Sequence, residues 1–146
     1  MNAPLVFEGR AERPLAQAML RGFRGYCPNC GRGRLFRAYL KVVDHCVVCH
    51  EDYSHQRADD APPYFVILIT GHIVVPLALA VEIAFSPPYW VHALLWTPLT
   101  IALVLGLLQP VKGAIVAWQW ANRMHGFNPD VPDDGMLPDR REDSEP

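Results

Sequence analysis

A small zinc-ribbon-like domain joined to an α-helical transmembrane hairpin of two helices is the fold class this sequence predicts. Three observations carry it. Four cysteines form two C-x2-C pairs, two long apolar runs are separated by four residues, and charge almost vanishes between Tyr64 and Leu108, where Glu82 is the only ionised group. Four segments follow: an N-terminal amphipathic segment over 1–26, a four-cysteine zinc knuckle over 27–61, a transmembrane hairpin with a C-terminal interfacial helix over 62–127, and a disordered acidic tail over 128–146.

The N-terminal segment lacks the apolar stretch of a signal peptide and is expected to be retained. Over 14–26, PLAQAMLRGFRGY places Leu15, Met19, Leu20 and Phe23 near one helical face, with Gln17, Arg21 and Arg24 elsewhere. Such a helix suits two settings, an anionic lipid surface or the side of the knuckle.

Cys27, Cys30, Cys46 and Cys49 follow the pattern C-x2-C-x15-C-x2-C. A two-residue gap lets a tight turn aim two sulfurs at one ion, and two turns complete a tetrahedron. Gly31 and Gly33 suit the first turn. Four thiolates leave no open coordination position, so the expected zinc is structural and supplies stability to a segment with little core. His45 and His50 flank the second pair and are expected to be exposed rather than ligands. Redox C-x-x-C chemistry and an iron–sulfur centre are the alternatives.

Residues 64–85, YFVILITGHIVVPLALAVEIAF, are long enough to cross about 30 Å of hydrocarbon as helix. Asp59, Asp60, Pro62 and Pro63 read as the helix start. The loop Ser86-Pro87-Pro88-Tyr89 is short, so Trp90–Leu108 must return antiparallel. Tyr64, Tyr89 and Trp90 lie at the ends, where aromatic rings favour the headgroup region. The loop has no Lys or Arg, residues 1–63 have nine and residues 111–146 have four. The positive-inside rule therefore puts both termini, and the cysteines, in the cytosol of a bacterial inner-membrane protein. Thiols stay reduced there, which favours zinc over disulfides.

Pro110 cannot donate to the carbonyl of Gly106, so a kink is expected, followed by an interfacial helix over 111–127; a straight continuation of the second helix competes with it. His72 lies near mid-membrane, one turn before Pro76, and intramembrane ionisable groups are functional candidates. Glu82 and His92 share a depth across the hairpin and are expected to pair as its cap. His72 and His92 differ in depth by about 15 Å and cannot ligate one haem iron.

Formal charges of +2 over 1–63, −1 over 64–110 and −3 over 111–146 sum to −2. So small a charge disfavours a nucleic-acid partner, although Arg32, Arg34, Arg37 and Lys41 keep a membrane-tethered zinc-ribbon regulator among the readings. No nucleophile–base pair, phosphate loop or dinucleotide motif is present, and no catalytic residue is assigned. A proton- or metal-handling protein would use His72 with the juxtamembrane Tyr53, Ser54, His55, Asp59 and Asp60.

The stretches RGYCPNCGRGRLFRAYLKV, CVVCHEDYSHQRADDAPPYFVILITGHIVV, SPPYWVHALLWTPL and LLQPVKGAIVAWQW resemble the bacterial family called domain of unknown function 983, over about residues 21–125. In that family the residue after the second pair is usually glycine, where this chain has His50. The resemblance implies an integral membrane protein with a cytosolic zinc knuckle. Relatives are often encoded near cytochrome oxidase subunits and assembly factors, which implies an accessory role to a haem–copper oxidase. The expected partners are thus the lipid bilayer and a larger membrane protein, met by a helix face containing Gly71, His72, Pro76 and Ala78.

Overall fold

The computed structural model describes residues 12–58 and 60–127; Asp59, the first eleven residues and the tail expected over 128–146 lie outside the described residues. The elements, in order, are α1 (Leu15–Phe23), β1 (Phe36–Ala38), β2 (Lys41–Val42), α2 (Ala61–Phe85) and α3 (Tyr89–Ala121).

α2 and α3 form the antiparallel hairpin, and each is long and apolar enough to cross a membrane. On α2, Pro62, Val66 and Thr70 are buried at four-residue spacing, which is the seam toward α3. The other faces are bare: Ile67 is 66% exposed and Ile83 is 83% exposed. α2 begins with prolines in its first turn, as expected, but Asp60 at the N-cap makes no side-chain capping bond. Its backbone is already helical, which turns the carboxylate away from the free amides.

The hairpin is closed at its loop end by the expected pair, His92 Nε2 to Glu82 Oε2 at 2.9 Å, extended by Trp96 Nε1 donating to His92 Nδ1 at 2.9 Å. Because Nδ1 accepts, the ring proton sits on Nε2 and is donated to the carboxylate.

No separate helix begins after Pro110. α3 runs through Pro98 and Pro110 without interruption and ends at Ala121, so the expected interfacial helix is the last third of α3. Proline removes one backbone bond, but packing compensates. Val111, Gly113, Val116, Ala117, Gln119 and Trp120 are all buried. α1 covers this stretch, running antiparallel to it. Gly22 meets the Gly113 carbonyl and Ala117, and Gly113 meets the Gly22 carbonyl, at separations with no room for a Cβ. The face α1 buries is therefore Ala18 and Gly22, whereas Leu15, Leu20 and Phe23 remain exposed.

The ribbon is built on two short loops and a small sheet. β1 and β2 pair antiparallel, with Phe36 opposite Val42. Leu40 at the tip takes φ +62°. Single bridges, Tyr26 with Arg34 and His45 with Asp52, close the bases of the two cysteine loops. Knuckle and hairpin share one core: Leu35, Tyr53 and Ala58 from the ribbon pack with Val116, Ala117 and Trp120 of α3 and with Phe127. Segments 27–61 and 62–127 thus meet in one packed core.

Candidate metal centre

The two cysteine loops repeat one geometry. In the first, the Cys27 amide donates to the Gly33 carbonyl at 2.8 Å and the Gly31 amide to the Cys27 carbonyl at 2.8 Å. In the second, the Cys46 amide donates to the Glu51 carbonyl and the His50 amide to the Cys46 carbonyl, both at 2.9 Å. Gly31 and His50 occupy the same place, four residues after the first cysteine of each pair, with φ +68° and +59°. Glycine adopts this left-handed conformation freely; a histidine is strained there by about 1–2 kcal/mol.

The four sulfurs lie within 4.8 Å of one another. Cys27 and Cys49 are 3.6 Å apart and Cys30 and Cys46 are 3.8 Å apart. A regular tetrahedron with metal–sulfur bonds of about 2.3 Å has edges of about 3.8 Å. The donor set therefore fits a four-thiolate metal ion. Among the described residues it is also the only grouping of three or more His, Cys, Asp or Glu side chains close enough to share an ion. His45 and His50 are exposed and outside it.

Polar hydrogens converge on the sulfurs. Cys27 Sγ accepts from the Cys30 amide at 3.4 Å and from the Tyr53 hydroxyl at 2.9 Å, Cys30 Sγ from the Arg32 amide at 3.5 Å, and Cys46 Sγ from the Val48 amide at 3.4 Å. Burial pushes the Cys27 thiol above its ordinary value, with the Tyr53 hydroxyl pulling the other way. Burial likewise dominates at Cys49 and, with the three neighbouring thiols, raises it to about 12. At Cys30 burial is outweighed by the Gly33 and Arg32 amides and by the Cys27 and Cys49 thiols, which bring it down to about 6. Metal-free, Cys27 and Cys49 hold their protons more tightly than an ordinary thiol and Cys30 more loosely. A metal bound by all four sulfurs must expel the protons of Cys27 and Cys49.

The surroundings fasten the centre to α3. Asn29 Nδ2 donates to Glu51 Oε2 at 2.9 Å, and Trp120 Nε1 donates to Glu51 Oε1 at 2.7 Å. The Arg13 guanidinium stacks 4.3 Å from the Trp120 ring and donates to the Trp120 carbonyl at 2.7 Å. Gln119, buried, pairs with the Arg57 backbone in both directions: Nε2 donates to the carbonyl at 2.9 Å and Oε1 accepts from the amide at 3.2 Å.

Among the described residues, which leave out Asp59, the juxtamembrane polar cluster does not assemble as one site. Tyr53 is buried against Cys27, the Ser54 amide donates to Asp52 Oδ1 at 2.8 Å, and His55 faces Asp52 at 3.7 Å. His72 is exposed on α2, its Nδ1 donating to the Leu68 carbonyl at 2.8 Å. Sequence patterns give no sign of the roles of Tyr53, Glu51, Gln119 and Trp120. Their partners lie up to 107 residues away.

The arrangement defines a class: a ribbon with four clustered cysteines that could hold a metal ion, seated on the extended arm of an apolar helical hairpin. Residues 36–120, more than half of the chain, match the family described as protein of unknown function, DUF983, and the protein belongs to it. The match takes in the second cysteine pair and nearly all of the hairpin. No curated protein and no solved structure matches the chain.

Proposed function

We propose that this is an integral protein of a bacterial inner membrane, with a structural zinc knuckle and both termini in the cytosol, acting as a non-catalytic accessory to a larger membrane protein. One observation carries the reading. Over their most apolar stretches only 11% of α2 and none of α3 is buried. A hairpin this bare exposes an apolar surface far larger than the few hundred Å² a soluble monomer tolerates, so lipid or protein must cover it.

The four-sulfur centre supports a structural metal, because four thiolates complete the coordination sphere and leave no place for substrate or water. The core shared by the ribbon and α3 supports a rigid platform. Gly71, with open space where a Cβ would be, and the neighbouring His72 and Pro76 offer a face for close approach by a partner helix. The family resemblance points to a haem–copper oxidase or its assembly factors as that partner. Affinity purification of the full chain from its native membrane in mild detergent is the test. Oxidase or assembly-factor subunits are the expected companions; recovery of the chain alone contradicts the accessory role.

A further inference from the structure

Where α1 ends against the ribbon, a recess of 250 Å³ is lined by Arg24, Gly25, Tyr26, Arg34, Phe36 and Gln109. Its construction is local. The bridge between Tyr26 and Arg34 brings the two chain segments side by side, and along 34–36 Leu35 turns into the core, Arg34 is exposed and Phe36 is partly buried against the core's edge. Arg24 follows the last turn of α1, which Gly22 pins to Gly113, one turn along α3 from Gln109.

The chemistry is that of an anion site. Two guanidiniums face one recess, and neither has a carboxylate partner among the described residues. From Arg13 to Val43 the chain carries seven Lys or Arg and no Asp or Glu. Arginine is the side chain best shaped to hold phosphate oxygens in pairs.

Position selects the kind of anion. Gln109 is twenty residues from Tyr89 at the start of α3. At about 1.5 Å per residue that is roughly 30 Å, the thickness of the hydrocarbon layer. The recess therefore opens at headgroup depth on the knuckle side, given the membrane-spanning reading above, on which this inference rests. An apolar flank lies beside it: Phe23 is half exposed, and Tyr39, also half exposed, donates its hydroxyl to the Leu105 carbonyl at 2.5 Å, one turn deeper than Gln109.

We propose that Arg24 and Arg34 bind a phosphate-bearing anion in this recess, presented by an anionic phospholipid of the leaflet next to the knuckle. The phosphate lies between the guanidiniums, and the acyl chains run past Tyr39 and Leu105 along α3.

The test uses the delipidated, zinc-loaded full chain in a neutral detergent, with native mass spectrometry of retained lipid. Phosphatidylglycerol is expected to be retained and phosphatidylcholine is not. The double variant R24Q/R34Q should weaken phosphatidylglycerol retention about thirtyfold, the effect of two surface basic residues. The charge-matched variant R37Q/K41Q should leave it unchanged. Millimolar inorganic phosphate should fail to displace the lipid; displacement assigns the recess to free phosphate and overturns the lipid source. Equal retention by wild type and R24Q/R34Q, or equal loss in both double variants, overturns the site itself. Alkaline carbonate washing of membranes separates the two readings. Release of the wild-type chain refutes the membrane-spanning reading, whereas a chain that stays in the membrane but binds lipid without Arg24 and Arg34 refutes this inference alone.

Discussion

Replacing Tyr53 with phenylalanine removes one hydroxyl from the edge of the four-cysteine cluster and nearly nothing else. Tyr53 is 1% exposed, and its ring packs edge-on to Phe127 at 6.1 Å, contacts that phenylalanine keeps. What is lost is the hydrogen bond to Cys27 Sγ at 2.9 Å. A bond to a charged acceptor contributes about 1.5–3 kcal/mol, and supporting partners of metal ligands typically change affinity about 10–100-fold; the two scales agree. The Tyr53→Phe variant should therefore fold, bind the same amount of zinc and hold it about 10–100-fold more weakly. The pH dependence has a definite sign. Burial raises the Cys27 pKa and the hydroxyl lowers it, so without the hydroxyl the thiol ionises less readily. Protons then compete better, and zinc leaves at a higher pH than in the wild type. Competition with a chelator of known affinity and acid titration of zinc release measure both effects. Unchanged affinity together with an unchanged release pH would refute the claim that Tyr53 stabilises a metal-bound thiolate.

Three further outcomes follow from the same geometry. A Cβ on Gly33 would run into Cys46 Sγ; Gly33→Ala should displace that ligand and lower the zinc content of the purified protein, which metal analysis reads directly. His50→Gly relieves a left-handed histidine at a modest cost in unfolded-chain entropy, and should raise stability by about 0.5–1 kcal/mol in denaturant titration; a loss of stability would contradict the strain. Gln119→Leu leaves the Arg57 amide and carbonyl without their partner. It should cost about 2–4 kcal/mol in the same assay, with zinc stoichiometry preserved.

What the sequence could reveal was set by the range of each interaction. The cysteine centre is written in local spacing, since each C-x2-C pair folds on itself and only the meeting of the two pairs is long-range. The hairpin is equally plain, because an apolar run of helical length and a loop of four residues leave few alternatives. The same shortness placed Glu82 opposite His92. Local rules failed where a distant contact outweighed them. Pro110 signals a break, yet α1 and the ribbon bury the residues beyond it and keep α3 continuous. In α1 the periodicity of the large apolar residues left a lipid surface and the knuckle both open, and the close approach to α3 is made by the small residues, which that periodicity does not single out. Asp60 looks like a cap from its place before Pro62, and only its backbone conformation shows that it does not act as one. His50 is a case in between. Its position in the loop implies a left-handed residue, while its identity gives no hint of it.

On the proposed reading, the two cysteine pairs hold one structural zinc ion. X-ray absorption at the zinc edge, on the full chain purified without added metal, tests it most directly. One zinc per chain is expected, surrounded by four sulfurs at about 2.3 Å with no nitrogen or oxygen neighbour. A mixed sulfur–nitrogen shell, a sulfur-bound iron cluster, or folded protein with no metal would contradict it.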